Sequence, residues 1–357
     1  MKNFPRLVLN LKGLSNDKII TSIVIPVFNQ ESRIIQNVRS ILENSILAHE
    51  IIIINDSSTD NTLGVLITEL PNIINLSKFC CSISLWHFKR PVYETQCDVS
   101  GIEISKAKYI LEIQADMKIL EYGFDKKFLQ AIQSYSDIIM LSGRGTEKVS
   151  DFYSFYLESM WPEKIISRSF CSYIFKLLTR FIKHLIPIYT LTFIKNYSKD
   201  RNFLKPHLFK NQIFPDSNTF CKSGRAGKLG LNVNANLFCD KRKIWLSETV
   251  MRGPLFIDKK KYYEVGGFDI EKFFLGYDDH DLAVRSWALR NYRCGYVPVN
   301  YYSPLEDGST RKNKSLEQEI QLIRNLFRIK NKWKNSFLFN YENFFRIKPV
   351  DYEIRNF

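Results

Sequence analysis

The sequence lacks the long apolar runs of membrane-spanning and secreted proteins. No stretch of about 18 uninterrupted apolar residues occurs in its 357 residues. The N-terminus, MKNFPRLVLNLKGLSND, has no full apolar core followed by a small-residue cleavage site. Both absences disfavour a transmembrane or secreted protein and predict a cytoplasmic one.

Cysteine is scarce and shows no metal-binding or disulfide pattern. The seven cysteines are odd in number and none forms a CxxC pair. The sequence therefore predicts neither a disulfide framework nor a zinc knuckle. Reduced thiols in the cytosol fit this usage.

Glycine-rich phosphate-binding motifs are also missing. After the first predicted strand, TSIVIPV at 21–27, the chain reads FNQES, which contains neither GxGxxG nor GxxxxGK[ST]. The sequence therefore lacks the main motif that would indicate a nicotinamide-dependent enzyme or a P-loop NTPase.

The chain does have enough apolar material for a large core. With 45% hydrophobic and 14% aromatic residues, it is not a disordered or collagen-like chain. Its net charge of +14 is unevenly spread, because residues 160–215 carry 10 basic and 2 acidic side chains and residues 309–357 carry 11 and 5. The basic surplus thus belongs to two segments around a neutral body.

The neutral body alternates short apolar runs with segments of helical periodicity. This pattern predicts an α/β fold with a mostly parallel central sheet flanked by helices. Ligands of such sheets bind at the carboxyl ends of the strands, so the polar residues that follow each strand are candidates for chemistry. The predicted strands are 21–27, 50–55, 82–88, 109–114 and 137–141.

Two amphipathic helices are predicted between the first three strands. The first contains Ile34, Ile35, Val38, Ile41 and Leu42 on one face. The second starts at Asn61 after a capping Asp60 and ends at Pro71. Its inward-facing residues are predicted to be Leu63, Leu66, Ile67 and Leu70.

Four segments in order resemble the family 2 glycosyltransferases of the GT-A fold. They are TSIVIPVFNQESRI, EIIIINDSSTDNT, YILEIQADM and GPLFIDKKKYYEVGGFDIEKFFLGYDDHDLAVRSW, and the resemblance covers about 21–145 and 245–305. It implies an inverting enzyme that moves a sugar from a nucleotide-diphosphate sugar, usually a UDP- or GDP-sugar, to a hydroxyl acceptor. The implied setting is the assembly of a surface polysaccharide, glycolipid or other glycan, with a glycan or lipid-linked acceptor.

The resemblance also assigns the donor site. It implies that Pro26 and Phe28 line the base pocket and that Asp56 accepts a hydrogen bond from the base. An Asx turn that closes the strand is the alternative role for Asp56. Two further residues at strand ends, Glu31 and Gln114, complete the predicted nucleotide-binding set.

A divalent cation, Mn²⁺ or Mg²⁺, is the implied cofactor. Asp116 stands where the family's DxD motif ends, and its carboxylate is the predicted metal ligand. The first acidic position of that motif is Gln114 here. The histidine that many relatives supply later is also missing, and Glu306 or Asp307 could replace it.

A cation that relatives carry near the phosphates is absent at its usual position. Where many of them have Arg-Asn before a glycine, this chain has Asp98 and Val99. Lys89 or Arg90 could substitute, although both could simply be solvated. The glycine-rich segment 222–230 offers Arg225 and Lys228 as candidates for a loop over the diphosphate, with a plain surface turn as the alternative.

The segment GYDDHDLAVRSW places three carboxylates at the start of a predicted helix. The resemblance implies that Asp279 is the catalytic base, which deprotonates the acceptor hydroxyl. Asp278, Asp281 and Arg285 are predicted to bind or position the acceptor, and Arg285 to pair with a carboxylate of the cluster. Acidic residues are also favoured at helix N-termini by the helix dipole alone. His280 is predicted to have a surface role.

The two basic segments are predicted to decide where the protein acts. Residues 170–195 could form an interfacial helix at an anionic membrane or pack on the body of the protein. The aromatic, basic C-terminal stretch is expected to dock on the protein or a partner, and no nucleic acid is expected. The predicted order is an N-terminal extension (1–20), a nucleotide-sugar-binding half (21–145), a helical basic insertion with a flexible loop (146–244), an acceptor-binding and catalytic half (245–308) and a basic C-terminal extension (309–357).

Two other function classes stay open at the level of sequence. A nucleotidyltransferase or other nucleotide-sugar enzyme also places carboxylates and a metal at strand ends, but it would show a basic glycine-rich loop after the first strand, which PVFNQES lacks. A non-enzymatic basic adaptor for membrane or nucleic acid would carry its charge on the functional face. The neutral, motif-bearing body argues against the adaptor.

Overall fold

The computed structural model describes most of the neutral body. The described residues are 4–144, 146–147, 231–233, 242–247, 249–250, 252–274, 276–303, 320–321, 324–325, 328 and 354–357. The predictions for helix 170–195, for Arg225 and Lys228 and for Glu306 and Asp307 lie outside the described residues. Among the described residues, no helix is long and apolar enough to cross a membrane.

Six helices and fifteen strands have defined bounds in the described part of the chain. The helices are α1 (Ile34–Asn44), α2 (Thr62–Ile73), α3 (Tyr93–Ile104), α4 (Phe124–Gln133), α5 (Lys259–Glu264) and α6 (Asp278–Arg290). The strands are β1 (Arg6–Lys12), β2 (Thr21–Val27), β3 (His49–Asn55), β4 (Cys80–His87), β5 (Tyr109–Glu112), β6 (Lys118–Ile119), β7 (Ile138–Ser142), β8 (Thr146–Glu147), β9 (Leu231–Val233), β10 (Lys243–Ser247), β11 (Thr249–Val250), β12 (Leu255–Asp258), β13 (Arg293–Tyr296), β14 (Tyr301–Ser303) and β15 (Ile354–Asn356).

A 10-stranded sheet with the order β1-β4-β3-β2-β5-β12-β7-β13-β10-β15 forms the centre of the fold. Strands β4, β3, β2 and β5 are parallel neighbours, as are β7 and β13. Strand β12 runs antiparallel between β5 and β7. The predicted α/β class with a mostly parallel central sheet is therefore confirmed.

The alternation of side chains along β2 explains why the sheet has a core on each face. Ile23 and Ile25 pack with α1 in one hydrophobic cluster, whereas Val24 packs with α3 and α6 in another. Helix α3 approaches closely because Gly101 faces β2: a Cβ there would lie 2.3 Å from Cγ1 of Val24. Central strands buried on both faces read as continuous apolar runs, as TSIVIPV and EIIIIN do.

Helix α2 departs from its prediction at two points. Pro71 lies inside the helix, which continues to Ile73, and Ile67 is exposed. The helix continues because Ile73 and Ile74 are buried in the core, and the Ile74 N–H still donates to the Leu70 carbonyl. A proline in the last turn loses only one hydrogen bond, which this burial offsets.

The edges of the sheet come from the two ends of the described chain. Strand β1, which lies in the predicted N-terminal extension, pairs antiparallel with β4. Strand β15 pairs antiparallel with β10, and Arg355 of β15 makes two hydrogen bonds of 2.7 and 2.9 Å to Asp137. Residues 354–357 therefore pack on the body of the protein, whereas the aromatic, basic stretch 332–348, for which docking was predicted, lies outside the described residues.

Candidate active site

The loops after β2 and β3 are joined to each other at the carboxyl edge of the sheet. The Asn29 side chain accepts from the Thr59 N–H at 2.8 Å and donates to the Thr59 hydroxyl at 3.0 Å. Glu31 accepts from the Asn61 N–H at 2.8 Å, so this predicted nucleotide-binding residue anchors the start of α2. These bonds fix both loops as one platform.

Strand β5 stops pairing with β2 before β2 itself ends. The register of the two strands ends at Val24 and Glu112, and the Val24 carbonyl accepts from the N–H of Ile113 at 3.0 Å. Pro26, two residues further along, has its backbone nitrogen on the same side of β2. Because proline has no N–H to offer, it leaves no unpaired donor there.

Asp56 holds the start of helix α3. Its two carboxylate oxygens accept from the backbone N–H groups of Val92 (2.7 Å) and Tyr93 (2.9 Å). Burial raises the pKa of Asp56 above its ordinary value, and these two hydrogen bonds oppose the increase. Tyr93 has a φ of 68°, a conformation that costs a bulky residue energy and that is common at functional sites.

The turn after β5 is held by a buried asparagine of α1. The Asn37 side chain donates to the carbonyls of Gln114 (3.0 Å) and Met117 (2.7 Å). These bonds bracket Asp116, the predicted metal ligand, and fix the backbone that presents it. Asn37 was not among the predicted site residues; a polar residue on the inward face of an amphipathic helix was the signal for it.

Arg252 lies at the centre of a buried ionic cluster beside this turn. Its Nη1 donates to Asp98 of α3 at 2.7 Å, and its Nη2 donates to Asp278 of α6. Glu94 lies 3.7 Å from the same guanidinium. The next residue, Gly253, donates its N–H to Glu112 of β5 at 3.1 Å. We call Glu94, Asp98, Glu112, Arg252 and Asp278 the Arg252 cluster.

Three carboxylates of the Arg252 cluster, Asp98, Glu112 and Asp278, have raised pKa values. Burial raises the pKa of Glu112 to about 8 and that of Asp278 to about 6, although the charge of Arg252 lowers both. Burial likewise raises the pKa of Asp98 well above its ordinary value, against the same charge. Burial thus outweighs the charge of the single guanidinium at these three carboxylates.

The acidic pair opens helix α6. Asp278 and Asp279 are both buried in its first turn, directly after Tyr277, which has a φ of 68°. Asp279 Oδ1 accepts from the His280 N–H at 2.8 Å and lies 2.7 Å from His280 Nδ1. Because a carboxylate only accepts, His280 Nδ1 carries the proton. His280 is therefore a partner of Asp279 rather than only a surface residue.

Asp279 differs from its neighbour in its pKa. Burial raises the pKa of Asp279, but the charge and hydrogen bonds of His280 and the charge of Arg252 outweigh burial and bring it below its ordinary value. Its Oδ2 accepts no hydrogen bond from the residues that the structure describes. Asp279 is thus an ionised carboxylate with one oxygen available.

The other two predicted acceptor residues point to a neighbouring turn. Arg285 donates to Asp281 at 2.8 Å, which confirms the predicted pairing. The same guanidinium donates to the carbonyls of Val265 (2.6 Å) and Gly267 (2.7 Å). This pair therefore connects α6 to the turn after α5.

Oxygen ligands for a hard cation are present near Asp116. Gln114 donates through Nε2 to Glu94 at 3.1 Å, and its buried Oε1 has no hydrogen-bond partner among the described residues. A carboxylate and an amide oxygen fit Mg²⁺ or Mn²⁺, which commonly take the rest of their ligands from phosphates and water. In the described part, Glu94, Asp98 and Glu112 each place a carboxylate oxygen within 4.8 Å of the other two, close enough for the three to bind one metal ion. The guanidinium of Arg252 already supplies a positive charge at this place.

The β2–β3 platform coincides with a known family segment. Residues 22–77 match the family described as Glycosyl transferase family 2. These residues are similar to that family. The predicted resemblance to family 2 glycosyltransferases is confirmed for these residues by this match. A comparison with curated proteins found no match.

Three solved structures are similar to this chain at low identity. GalNAc-T7 with UDP, GalNAc and Mn²⁺ is 13% identical, with a TM-score of 0.46, over 80% of this chain and 43% of that one. The mannosyltransferase PcManGT from Pyrobaculum calidifontis, with GDP-Man and Mn²⁺, is 11% identical, with a TM-score of 0.46, over 90% and 66%. S. aureus TarS is 11% identical, with a TM-score of 0.47, over 91% and 41%. The chain thus spans less than two thirds of each of these three.

Within the candidate site, the structure gathers residues that are distant in sequence. The platform carries Pro26, Phe28, Glu31 and Asp56, and Gln114 and Asp278 both contact members of the Arg252 cluster. Asp281 and Arg285 turn to the neighbouring loop instead. Sequence reasoning missed Arg252, which precedes GPLFID, because a single arginine before a strand gives no sign of its partners.

Proposed function

We propose that this chain is an inverting glycosyltransferase that moves a sugar from a UDP- or GDP-sugar to a hydroxyl acceptor. The observation that carries the proposal is the meeting of two parts of the chain. Arg252 binds Asp278 of the acidic pair and Asp98 of α3, while Asp56 of the matched segment holds the start of α3. The acidic pair is thereby connected to the platform.

The donor binds at the carboxyl ends of β2, β3 and β5 in this proposal. Pro26 and Phe28 line the base site and Asp56 contacts the base, with Glu31 and Gln114 supporting the surrounding loops. Asp56 already accepts two backbone N–H groups, and a carboxylate has about four acceptor positions, so a further hydrogen bond from a base fits.

Asp279 acts as the base for the acceptor. Its available oxygen takes the proton of the acceptor hydroxyl as that oxygen attacks the anomeric carbon from the face opposite the leaving group. The bond between the anomeric carbon and the diphosphate oxygen breaks, and the nucleoside diphosphate departs with the electron pair. Displacement from the opposite face inverts the anomeric configuration.

A divalent cation completes the donor site in this proposal. Asp116 would hold it, with the Gln114 amide oxygen close in sequence, and the cation would stabilise the negative charge of the leaving diphosphate. The turn that presents Asp116 is fixed by Asn37. Arg225 and Lys228 are the proposed additional contacts to the diphosphate.

The proposal also covers the acceptor and the cellular location of the protein. We propose a glycan or lipid-linked acceptor and action in the cytoplasm, at an anionic membrane surface, because the whole basic surplus lies in 160–215 and 309–357. The purified protein should co-sediment with liposomes that contain phosphatidylglycerol at low salt. Failure to co-sediment would remove the membrane from the proposal.

One screen tests the donor part directly. Thermal shifts should be measured with UDP, GDP and CDP, each with and without Mn²⁺, because specific binding stabilises the folded state. Release of nucleoside diphosphate from the corresponding sugar donors should then be assayed. The proposal requires one nucleotide to shift the melting temperature and its sugar derivative to be turned over; no shift with any nucleotide would overturn it.

A further inference from the structure

Arg252 is buried and contacts two helices and an aromatic ring. Its side chain is 9% exposed, and its two terminal nitrogens bind carboxylates from two different helices, Asp98 of α3 and Asp278 of α6. The guanidinium carbon lies 4.7 Å from the centre of the Phe268 ring, so one face of the plane is also covered. Nothing in this arrangement leaves the guanidinium free to rotate toward a ligand.

The backbone around Arg252 is held as firmly as its side chain. The Arg252 carbonyl accepts from Arg144 at 3.4 Å, and the Gly253 N–H donates to Glu112. Gly253 has a φ of 61°, and a Cβ there would lie 2.9 Å from Cγ of Gln114. A side chain at 253 would be strained by this φ and by the contact with Gln114, so glycine favours the backbone position from which Arg252 extends.

The cluster separates the roles of the two acids that open α6. Asp278 is bound by Arg252 and buried, whereas Asp279 is bound by His280 through one oxygen and has the other available. Two adjacent carboxylates repel each other, and the guanidinium on Asp278 relieves that repulsion. It also fixes the first turn of α6, and with it the direction of Asp279.

We infer that Arg252 is a positioning residue: it ties the first turn of α6 to α3 and so holds Asp279 in the orientation of the catalytic base. The inference rests on the proposed function for the role of Asp279 and goes beyond it by naming the residue that couples the donor-side helix to the acceptor-side helix. Asp98 is the residue of α3 that holds Arg252. It is 1% exposed, and in the described part its carboxylate accepts the 2.7 Å hydrogen bond from Nη1 of Arg252.

Replacement of Arg252 tests this role. In Arg252→Met, the buried carboxylates lose their cation and repel one another, so the first turn of α6 shifts. We expect kcat to fall about a hundredfold while the KM for the donor changes less than about threefold, since a small misplacement of a catalytic group costs that much. Arg252→Lys keeps the positive charge but not the planar guanidinium that binds two carboxylates at once. Its kcat should therefore lie between that of the unmodified protein and that of Arg252→Met.

The pH profile separates positioning from plain stability. Because Arg252 lowers the pKa of Asp279, the acid limb of kcat/KM should move to higher pH in Arg252→Met and less in Arg252→Lys. Arg355→Met is the matched control, because it removes an arginine that is paired with Asp137 at the far edge of the sheet. It should change neither kcat nor the acid limb of the kcat/KM profile. If Arg252→Met does not fold, Arg252→Lys carries the test alone.

Two outcomes must be kept apart. Unchanged kcat and an unchanged acid limb in a folded Arg252 variant would overturn the inference and leave the glycosyltransferase proposal intact. If the unmodified protein turns over no sugar donor, the proposed function fails instead. In that case the Asp279 carboxyl can still be titrated by ¹³C NMR, and a pKa that stays the same in Arg252→Met would overturn the coupling on its own.

Discussion

Asp279 and His280 are joined by two contacts to one oxygen: the His280 N–H donates to Asp279 Oδ1 at 2.8 Å, and His280 Nδ1 lies 2.7 Å from the same atom. Such a pair fixes a carboxylate and leaves its second oxygen for another partner. The geometry is that of an oriented base, although Asp279 was predicted from its position in the DDHD run and not from this contact.

Asp279→Asn should abolish transfer and leave donor binding intact. An amide cannot accept a proton from the acceptor, and loss of a general base costs about a hundred- to ten-thousandfold in rate. The measurement is kcat for sugar transfer together with the nucleotide dissociation constant. Asp17→Asn, an exposed residue between β1 and β2, is the matched control. Transfer at the original rate in Asp279→Asn would remove this residue from the base role.

His280→Ala should move the acid limb of the rate profile to higher pH. His280 lowers the pKa of Asp279 by its charge and its hydrogen bonds, so without it the carboxylate takes up its proton at higher pH. The enzyme should therefore lose activity at a pH where the unmodified protein is still active. The profile of kcat/KM between pH 4 and 8 provides the check, and a limb that stays in place or moves down contradicts it.

Glu112→Gln should stabilise the protein at alkaline pH. Burial raises the pKa of Glu112 from its ordinary 4.5 to about 8 in the folded state, so the folded state binds the extra proton and stability falls as pH rises from about 4.5 to 8. Glutamine has no proton to lose and can still accept from Gly253. We expect a gain of about 4 kcal/mol at pH 8 and almost none at pH 4.5, at about 1.36 kcal/mol for each pKa unit.

Urea denaturation at both pH values measures the effect of Glu112→Gln. Asp278, whose pKa is raised from 3.8 to about 6, should leave in the variant a residual fall in stability as the pH rises from about 3.8 to 6. Glu69→Gln on the exposed face of α2 is the matched control and should have no pH-dependent effect. Equal stability of Glu112→Gln and the unmodified protein at pH 8 would show that Glu112 is not held protonated.

Asp116→Ala should weaken nucleotide binding only when a divalent cation is present. If Asp116 holds the cation, its loss should cost about ten- to a hundredfold in affinity for the diphosphate with Mn²⁺. In EDTA the two proteins should bind equally weakly. Calorimetric titration gives both values, and an unchanged affinity in Mn²⁺ would place the cation elsewhere.

Arg285→Met should affect folding more than acceptor binding. It leaves the buried carboxylate of Asp281 without its guanidinium and frees the carbonyls of Val265 and Gly267, which should cost about 3 kcal/mol. The free energy of unfolding is measured in urea. An unchanged stability with a large rise in the KM of the acceptor would instead support the acceptor-binding role predicted for Arg285.

Short-range patterns predicted the neutral body well. The apolar runs at 21–27 and 50–55 are β2 and β3 within one residue, and the helical spacing from Ile34 gives α1. These elements are decided by period and burial, which the chain itself displays. The exposed Ile67 and the continuation past Pro71 show the limit, because tertiary contacts of Ile73 and Ile74 decided where α2 ends.

The sequence by itself determined the class of the fold, the strand ends that carry polar residues and the acidic run that opens α6. Each of these is written in neighbouring residues, through alternation, helical spacing or a compact motif. Only the tertiary structure decided that β12 enters between β5 and β7, because strand order depends on contacts far apart in the chain. That insertion places Arg252 between Asp98 and Asp278, and a buried charge finds its partners through the fold rather than through sequence spacing.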